Sequence, residues 1–416
     1  MKGTLYRHLS EFTLGRQGLL FQEDEPKTEL REKNYSGQEI PYFINEFWTA
    51  KQRQAARIHE ISYRACFKAQ LPRFFIKLFT NEGDLIYDPF SGRGTTAIEA
   101  GILGRKIVSN DINPLSRILT EPRLLIPAMS NIERRLKSLD LNEVKEAGID
   151  LSMFYHPKTE EEIASLRHYL KERKDKGKED EIDKWIRMVA TNRLTGHSKG
   201  FFSVYTLPPN QATTQERQKK INEKRDQKPE YRNVKKLILR KTKTLLGGLT
   251  KGQVDKLREA GKNAHFITAD ARYTRSIESD SVDLTVTSPP FLNIVQYAND
   301  NWLRCWFNNI DVNEVEKSIT VTNDLDEWSR IMGDVLKELF RITKKGGLVA
   351  FEVGELRKGK IKLDEYIVPK GLKAGFKCLG VVINSQEFTK TSNIWGIDNN
   401  EIGTNTNRIV IFSKTE

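Results

Sequence analysis

The sequence is poor in cysteine and has no long apolar run. Its three cysteines, Cys66, Cys305 and Cys378, are scattered and form no Cys-x-x-Cys or Cys/His cluster. This spacing gives no indication of a zinc site, and sparse, unpaired thiols are typical of a reducing compartment. No stretch approaches the roughly 18 apolar residues of a membrane span, and the first eight residues lack the apolar core of a signal peptide. We therefore expect a soluble, cytoplasmic protein without a metal site.

Acidic residues are outnumbered by basic ones. The 416 residues include 68 Lys and Arg against 56 Asp and Glu, a net charge of +12. Such an excess favours a polyanionic partner but says nothing about the fold. Hydrophobic residues make up 38% of the chain, which is enough to build a sizeable core and excludes a wholly disordered protein. The length favours two lobes over one.

The pattern of apolar residues predicts an α/β sheet that is interrupted once. A strand, a glycine-rich loop, a helix and a second strand follow one another between residues 85 and 111, which is the beginning of a doubly wound parallel sheet. The predicted strands cover 85–87, 106–111, 265–270, 282–287, 348–353, 379–383 and 408–412, and the predicted helices cover 47–80, 97–103 and 328–343.

A long basic stretch separates the two halves of this pattern. Residues 122–263 are charged and mostly helix-like, and Gln215–Lys243 alone contains twelve Lys and Arg against four acids. A run of this kind is either a solvated helix face or a surface that follows phosphates. The predicted organisation is an N-terminal extension (1–45), a first sheet segment (46–121), an inserted basic module (122–263) and a second sheet segment (264–416).

The glycine loop Asp88-Pro89-Phe90-Ser91-Gly92-Arg93-Gly94 lies between a strand and a helix, where small residues let a backbone approach a ligand. A tight structural turn is the alternative interpretation. Asp111 ends the next strand, where a carboxylate can accept both hydroxyls of a ribose. Asp270 ends the third strand and could accept from the exocyclic amine of a purine. Three acids at one sheet edge therefore indicate an adenosine-containing cofactor.

The identity of that cofactor follows from Asp88. A carboxylate at the loop would repel a pyrophosphate but attract an ammonium group. The pattern also departs from Gly-x-Gly-x-x-Gly, because Thr95-Thr96-Ala97 follows Gly94. Together these features favour S-adenosylmethionine over a nicotinamide dinucleotide.

A second site is indicated by Thr287-Ser288-Pro289-Pro290-Phe291. Two prolines fix the backbone after a buried strand and remove two N–H donors, which frees the preceding carbonyls to accept from a ligand. The hydroxyl of Ser288 is a further acceptor, and Phe291 provides a flat apolar face. This set suits a planar heterocycle that carries an NH₂ group, whereas an ordinary turn at the end of a strand is the alternative.

The two motifs together resemble those of the N4-cytosine/N6-adenine DNA amino-methyltransferase family. The resemblance covers roughly residues 50–120 and 264–416. The segment 58–72 is similar to the family's cofactor-covering motif, although an amphipathic helix is an alternative interpretation. The fold that the resemblance implies is a doubly wound class I methyltransferase sheet, mostly parallel with an antiparallel C-terminal strand, carrying a mainly helical inserted module.

The resemblance also implies roles for individual residues. Those expected to form the catalytic pocket are Ser288, Pro289, Pro290 and Phe291. Those expected to bind S-adenosylmethionine are His59, Tyr63, Asp88, Pro89, Phe90, Gly92, Gly94, Thr95, Asp111, Ile112, Asp270 and Ala271.

The activity that the resemblance implies is direct methyl transfer to the N4 amine of a flipped cytosine in double-stranded DNA. Serine at position 288 resembles the N4-cytosine branch, but adenine N6, RNA and protein amines remain alternatives. A more distant alternative is a non-catalytic DNA-binding protein with the same fold. A C5-cytosine enzyme is excluded because no cysteine follows a proline. A prokaryotic restriction-modification or orphan modification system is the expected setting, and a separate restriction endonuclease is left open.

The inserted module is the expected site of target recognition. The segment Asn192–Gly200 offers donors for base edges, and the alternative is a loop between the helix of Trp185 and a strand at Phe201-Phe202. The residues expected to contact DNA are Arg193, His197, Ser198, Lys199, Lys219, Lys220 and Arg225.

Overall fold

A computed structural model describes most of the chain. The described residues are 2–13, 27–48, 55–64, 66–143, 146–207, 213–290, 297–319, 322–356, 360–385 and 406–415. The strands in these ranges are β1 Glu29–Tyr35, β2 Gln38–Asn45, β3 Leu85–Asp88, β4 Lys106–Asn110, β5 His265–Ile267, β6 Val282–Thr287, β7 Thr343–Val353, β8 Glu355–Leu356, β9 Ile361–Lys362, β10 Lys377–Ser385 and β11 Thr406–Ser413. The helices are α1 Lys2–Ser10, α2 Gln70–Phe79, α3 Thr95–Ile102, α4 Leu115–Leu124, α5 Met129–Ser138, α6 Pro157–Asp175, α7 Glu181–Thr191, α8 Gln215–Lys224, α9 Val234–Leu246, α10 Lys251–Lys262, α11 Tyr297–Asn308, α12 Val312–Ser318, α13 Leu325–Ile342 and α14 Asp364–Ala374.

Nine of the described strands form one sheet in the order β1-β2-β10-β11-β7-β6-β3-β4-β5. The five strands β5, β4, β3, β6 and β7 are parallel to one another, whereas β11 runs antiparallel to both β7 and β10. The predicted fold class, a mostly parallel α/β sheet with an antiparallel C-terminal strand, is therefore confirmed. Parallel strands direct their carboxyl ends to one rim, which is where ligands of open α/β sheets bind.

The sheet is covered on both faces. Successive residues of a strand point to opposite sides, so that Ile86 packs in one apolar cluster and Tyr87 in the other. The first cluster includes residues of α2, α3 and α4, and the second includes residues of α13 and α14. This burial on both sides explains why β3 begins with the apolar run Leu85-Ile86-Tyr87. No helix in the described ranges has both the length and the apolarity to cross a bilayer.

Contrary to the prediction, the N-terminal residues are not an extension outside the sheet. Strands β1 and β2 pair as an antiparallel hairpin, and β2 pairs in parallel with β10. The hairpin has the two-residue turn Ser36-Gly37 with both residues at positive φ, which is typical of tight hairpins. The prediction was wrong because the pairing of β2 joins residues more than 330 positions apart, which no local pattern reveals.

The helix predicted for 47–80 is also wrong over most of its length. Only α2 and a 3₁₀ turn at Arg57–His59 are helical among the described residues of this range. The chain between them is held by two guanidinium groups: Arg123 donates to the carbonyl of Ile58, and Arg93 donates to those of Ile61 and Phe67. These contacts replace the hydrogen bonds that a helix would make, so tertiary structure overrides the helical periodicity.

The inserted module is helical, as predicted, and packs directly on the sheet. The cluster that contains Ile98 of α3 also contains Trp185 of α7, so the two parts share one core. Helix α10 packs against α3 and α4. It therefore belongs to the helical layer that covers the sheet, although its residues lie inside the predicted module boundaries. The strand predicted at Phe201-Phe202 is absent from this described segment, which is irregular apart from a bridge between Gly196 and Tyr205.

Candidate functional site

A cleft opens at the carboxyl ends of the parallel strands. It contains about 1180 Å³ of space free of protein atoms, part of it open to solvent, which is ample for a ligand. Both predicted motifs contribute to its lining. The predicted site residues in this lining are Tyr63, Pro89, Phe90, Gly92, Thr95, Asp111, Ile112, Asp270, Ala271, Ser288, Pro289 and Pro290.

The two glycines of the loop have different roles. Gly92, with φ of +53°, lines the cleft and donates its N–H to Asp111 Oδ2 at 2.7 Å. Gly94, with φ of +74°, precedes α3 and is buried away from the lining. A Cβ on Gly94 would lie 2.2 Å from Thr120 Oγ1. Gly94 is therefore required by packing against α4, whereas Gly92 brings the backbone to the cleft.

Asp88 is buried at the end of β3, directly behind the lining residues Pro89 and Phe90. Its Oδ1 accepts from the Thr287 hydroxyl at 2.7 Å and from the Phe90 N–H at 3.1 Å. Its Oδ2 is buried without a hydrogen-bond partner among the described residues. Burial raises the pKa of Asp88 to about 6. An unpartnered buried carboxylate oxygen is costly unless a ligand donates to it.

Asp111 follows β4 and lies in the cleft. It accepts from the backbone N–H groups of Gly92 and of Asn113, the latter at 2.9 Å. Burial raises its pKa to about 6 as well. Each carboxylate oxygen keeps a lone pair beyond the one that the backbone uses, so Asp111 can still accept from two hydroxyl groups of a ligand.

Asp270 lies three residues beyond the end of β5 and is already engaged. Arg272 donates to both carboxylate oxygens, with Nε 3.0 Å from Oδ1 and Nη2 2.5 Å from Oδ2. Although burial opposes ionisation, these hydrogen bonds lower the pKa of Asp270. The sequence predicted Asp270 as a free acceptor. In the structure that carboxylate pairs with Arg272, whose side chain also lines the cleft.

The serine and the two prolines form a second wall of the cleft, at the end of β6, which pairs directly with β3. The Trp328 indole donates to the Pro290 carbonyl at 3.0 Å, which fixes the turn from the side of α13. Ser288 follows the strand pair Thr287–Phe351 and so lies beside Glu352, a buried residue of β7 whose carboxyl accepts from Asn407 at 2.8 Å. Burial raises the pKa of Glu352. Phe291 lies outside the described residues.

His59 lies elsewhere, contrary to expectation. Its ring is buried, with Nε2 2.7 Å from Glu99 Oε1 on α3, and it does not line the cleft. Burial lowers the pKa of His59, and the short contact with Glu99 opposes that shift. Tyr63, from the same segment, does line the cleft.

The expected DNA-contacting residues are not part of the cleft. Arg193 is only 9% exposed and packs over the Phe201 ring at 4.0 Å, so it is not a free donor for base edges. His197, Ser198 and Lys199 are exposed on the loop that follows it. Lys219 and Lys220 are exposed on α8, and Arg225 packs over the Tyr205 ring at 3.8 Å.

Sequence reasoning missed three residues that shape the cleft: Arg272, Trp328 and Glu352. Arg272 could have been found, because a guanidinium two residues after an aspartate commonly pairs with it. Trp328 and Glu352 reach the serine-proline turn only through the packing of α13 and the pairing of β6 with β7. No sequence signal marks those contacts.

Comparison with known sequences agrees with the motifs. A family model described as DNA methylase matches residues 19–118, which include the glycine loop and Asp111. M.MjaII, a type II methyltransferase of Methanocaldococcus jannaschii, is 31% identical over 98 residues, which are 23% of this chain and 18% of that protein. M.BsoBI, a type II methyltransferase of Geobacillus stearothermophilus, is 38% identical over 81 residues, which are 19% of this chain and 15% of that protein.

The resemblance to the amino-methyltransferase family is thus confirmed on the segment that carries the glycine loop. The match spans less than a fifth of the length of either relative. Among solved structures, TrmN from Thermus thermophilus is 12% identical with a TM-score of 0.33, over 86% of this chain and 51% of its own. TTHA0409, also from Thermus thermophilus, is 23% identical with a TM-score of 0.22, over 35% of this chain and 50% of its own.

Proposed function

We propose that this chain, whose residues 19–118 match the DNA methylase family, methylates an exocyclic amine of a base in double-stranded DNA, preferentially cytosine N4. The main observation that supports the proposal is that both sequence motifs line the same cleft. The glycine loop and Asp111 form one wall of it, and Ser288, Pro289 and Pro290 form the other. A methyl donor and an amine acceptor bound at these two walls would lie next to each other.

The residues of the first wall fit S-adenosylmethionine. The partnerless Oδ2 of Asp88 suits an ammonium group close behind the glycine loop. A Cβ on Gly92 would lie 3.3 Å from Cys66 Sγ, so glycine keeps that part of the cleft open. Asp111 retains acceptor capacity for ribose hydroxyls. When bound there, this cofactor supplies an electrophilic methyl group on a sulfonium centre.

The second wall provides acceptors for an amine. The hydroxyl oxygen of Ser288, which lines the cleft, has lone pairs that can accept from an amine. No described residue donates to the Pro289 carbonyl, which offers a second acceptor. Two acceptors that hold both N–H groups would direct the nitrogen lone pair towards the first wall. Much of the rate enhancement would then come from proximity and orientation.

Access to this wall requires the base to leave the duplex. An exocyclic amine within stacked DNA cannot reach a cleft lined by a strand end and a proline turn. Base flipping costs a few kcal/mol, which hydrogen bonds and stacking in the pocket offset. We include this step in the proposal, together with a role for Phe291 as the stacking face.

The names of the similar proteins support DNA as the substrate. Both M.MjaII and M.BsoBI are called type II methyltransferases, which supports a place in a restriction-modification system, with a separate endonuclease as partner and the prokaryotic cytoplasm as location. Adenine N6 is the alternative target on DNA, since the two acceptors recognise an amine rather than a ring.

A base in RNA is the second candidate substrate. One similar protein, 29% identical over 98 residues, is named tRNA (guanine(10)-N2)-dimethyltransferase, which acts on an exocyclic base amine. The same two-walled cleft would serve that chemistry.

A single labelling experiment tests the proposal. The protein is incubated with methyl-labelled S-adenosylmethionine and, separately, with duplex DNA, RNA and a protein mixture, and the products are digested to nucleosides or amino acids. We expect label in N4-methylcytosine from DNA. Label in N6-methyladenine would move the target to adenine, label only in RNA or protein would refute DNA, and no transfer to any acceptor would refute the methyltransferase proposal.

A further inference from the structure

An irregular loop of the inserted module lies against the rim of the cleft. Asn192 and Ser62 exchange two hydrogen bonds: Asn192 Nδ2 donates to the Ser62 carbonyl at 3.0 Å, and the Ser62 N–H donates to Asn192 Oδ1 at 3.3 Å. Ser62 immediately precedes Tyr63, which lines the cleft. The loop 193–205 therefore begins at the rim, where a nucleotide that enters the cleft would still be joined to its strand.

Three arginines from separate elements meet on this loop. Arg193 packs over Phe201, and Arg240 of α9 donates to the Lys199 carbonyl at 2.8 Å. Arg232 donates to the carbonyls of Ser198 and Phe201 at 3.2 and 3.0 Å. Gly200 marks the meeting point, because a Cβ built on it would lie 3.6 Å from Arg240 Nη2 and 3.9 Å from Arg193 Nη1. We call Arg193, Arg232 and Arg240 the arginine cluster.

Nearby carboxylates compensate the positive charge of the arginine cluster only in part, Glu60 acting on Arg193 and Glu230 on Arg232. None of its three members forms an ion pair with a described residue. The nearby carboxylate of Glu60 lies 3.2 Å from Lys241 Nζ and is shared with that ammonium group. Burial, and then the like charge of Arg240 and Arg304, lowers the pKa of Arg193 to about 10. Such mutual repulsion destabilises the loop unless an anion binds.

The chemistry of the arginine side chains favours a phosphate as the bound anion. A guanidinium offers planar, paired N–H donors that match the oxygens of a phosphate. The backbone carbonyls already engaged hold the guanidinium groups in place, so little side-chain entropy is lost on binding. Exposed Lys199 and His197 flank the cluster and widen the basic surface.

We propose that the arginine cluster, through its exposed member Arg240, binds a backbone phosphate of the DNA strand next to the nucleotide that enters the cleft, while buried Arg193 adds positive charge behind it. The inference rests on the proposed function, because it takes DNA as the partner. It replaces the expectation that Arg193 contacts base edges. Phosphate contacts fix position and register on a duplex without specifying sequence, so the cluster would act equally on all DNA sequences.

The test is the salt dependence of DNA binding by the full chain. Arg240 is exposed, so Arg240→Gln removes one charge and leaves the fold intact. Binding of a fluorescent duplex of random sequence is followed at KCl concentrations from about 50 to about 300 mM. We expect about tenfold weaker binding near 0.1 M salt and a slope of log K against log[salt] that is less steep by about 0.9, the change expected for one lost phosphate contact. Arg240→Lys, which keeps the charge, should restore most of the slope.

Lys373→Gln is the matched control. It removes one exposed charge from α14, which packs with α13 on the opposite face of the sheet. An equal loss of slope in Lys373→Gln and Arg240→Gln, or no change in Arg240→Gln, would overturn the phosphate site while DNA binding itself stands. Failure of the unaltered protein to bind DNA at any salt concentration would instead refute DNA as the partner in the proposed function.

Discussion

At the scale of single residues, the cleft is defined by carboxyl groups whose burial is only partly compensated. Asp88 and Asp111 lie on successive strand ends and both have a pKa of about 6. Backbone N–H groups and the hydroxyls of Thr287 and Thr96 favour their charged forms, yet desolvation is the larger effect. A bound ligand that donates to these oxygens would recover part of that penalty.

The first prediction concerns Ser288. Replacement by alanine removes one amine acceptor and leaves the other wall of the cleft unchanged. We expect unchanged affinity for S-adenosylmethionine by calorimetry and a loss of methyl transfer of at least about a hundredfold, typical of one lost hydrogen-bonding group at a reacting centre. Ser318→Ala is the control, because Ser318 lines the same cleft but lies on α12. Normal turnover by Ser288→Ala would refute the pocket assignment.

The second prediction concerns Asp111 and pH. Its carboxylate form accepts from hydroxyl groups, and that form is lost as the pH falls through about 6. Binding of S-adenosylmethionine to the protein should therefore weaken progressively below about pH 6, by up to about tenfold per pH unit for this group. Asp111→Ala should lose most of the affinity at about pH 8, where the carboxylate of the unaltered protein is fully ionised.

Asp111→Asn distinguishes the effect of the carboxylate charge from that of the side-chain shape, because asparagine keeps the shape and lacks the charge. It should bind weakly at all pH values, with a flatter profile than the unaltered protein because only Asp88 still titrates in that range. An affinity that stays constant from about pH 8 to about pH 5 in the unaltered protein would contradict the assigned role.

At the scale of secondary-structure elements, the junction of β3, the glycine loop and α3 sets the geometry of the cleft. Arg93 of the loop donates to the carbonyls of Ile61 and Phe67, and Arg123 of α4 donates to that of Ile58. Helix α4 closes the junction from the side, since Thr120 occupies the space where a side chain at position 94 would lie. The wall of the cleft that contains the glycine loop is therefore held in place by β3, α3 and α4 together.

The third prediction tests this packing. Gly94→Ala places a Cβ within 2.2 Å of Thr120 Oγ1 in a residue with φ of +74°. We expect it to lower the free energy of unfolding by about 2–4 kcal/mol, the sum of a left-handed backbone and a steric clash. The measurement is urea denaturation followed by circular dichroism.

Gly83→Ala is the matched control, because Gly83 has φ of +90° but open space around it. It should lower the unfolding free energy by only about 1 kcal/mol. Equal losses in the two variants would show that Thr120 does not enforce glycine at position 94.

At the scale of the whole molecule, the inserted module and the sheet share one apolar core. Helix α11, which follows the serine-proline turn in the chain, contacts the module: Trp302 donates to the Thr213 carbonyl at 3.2 Å and Trp306 to the Ala147 carbonyl at 3.3 Å. The apolar cluster beneath them is continuous from α3 to α7. Contacts made by the module can therefore influence the position of the turn.

The fourth prediction follows from the shared core. Unfolding in urea should give a single transition, with the same midpoint by circular dichroism and by tryptophan fluorescence. Trp185→Phe, which loses the indole hydrogen bond to Thr242, should lower both midpoints together. Two separate transitions would indicate that the module folds as an independent domain.

The sequence by itself determined the central sheet and the two motifs. Strands β3, β4 and β6 were predicted within one or two residues, because each contains short runs or alternations of apolar, β-branched residues next to a turn or an acid. The glycine loop and the serine-proline turn were also recognisable, since their chemistry depends on neighbours along the chain. Their meeting in one cleft follows from parallel pairing at the carboxyl rim.

Only the tertiary structure decided which polar groups are free. His59 pairs with Glu99, and the Trp328 indole donates to the Pro290 carbonyl, and each of these contacts depends on the packing of residues far apart in the chain. The same holds for the strands β1 and β2, whose partner lies at the far end of the chain. Sequence patterns report local periodicity, whereas burial and charge pairing depend on residues brought together by the completed fold, which is why these contacts could not be predicted.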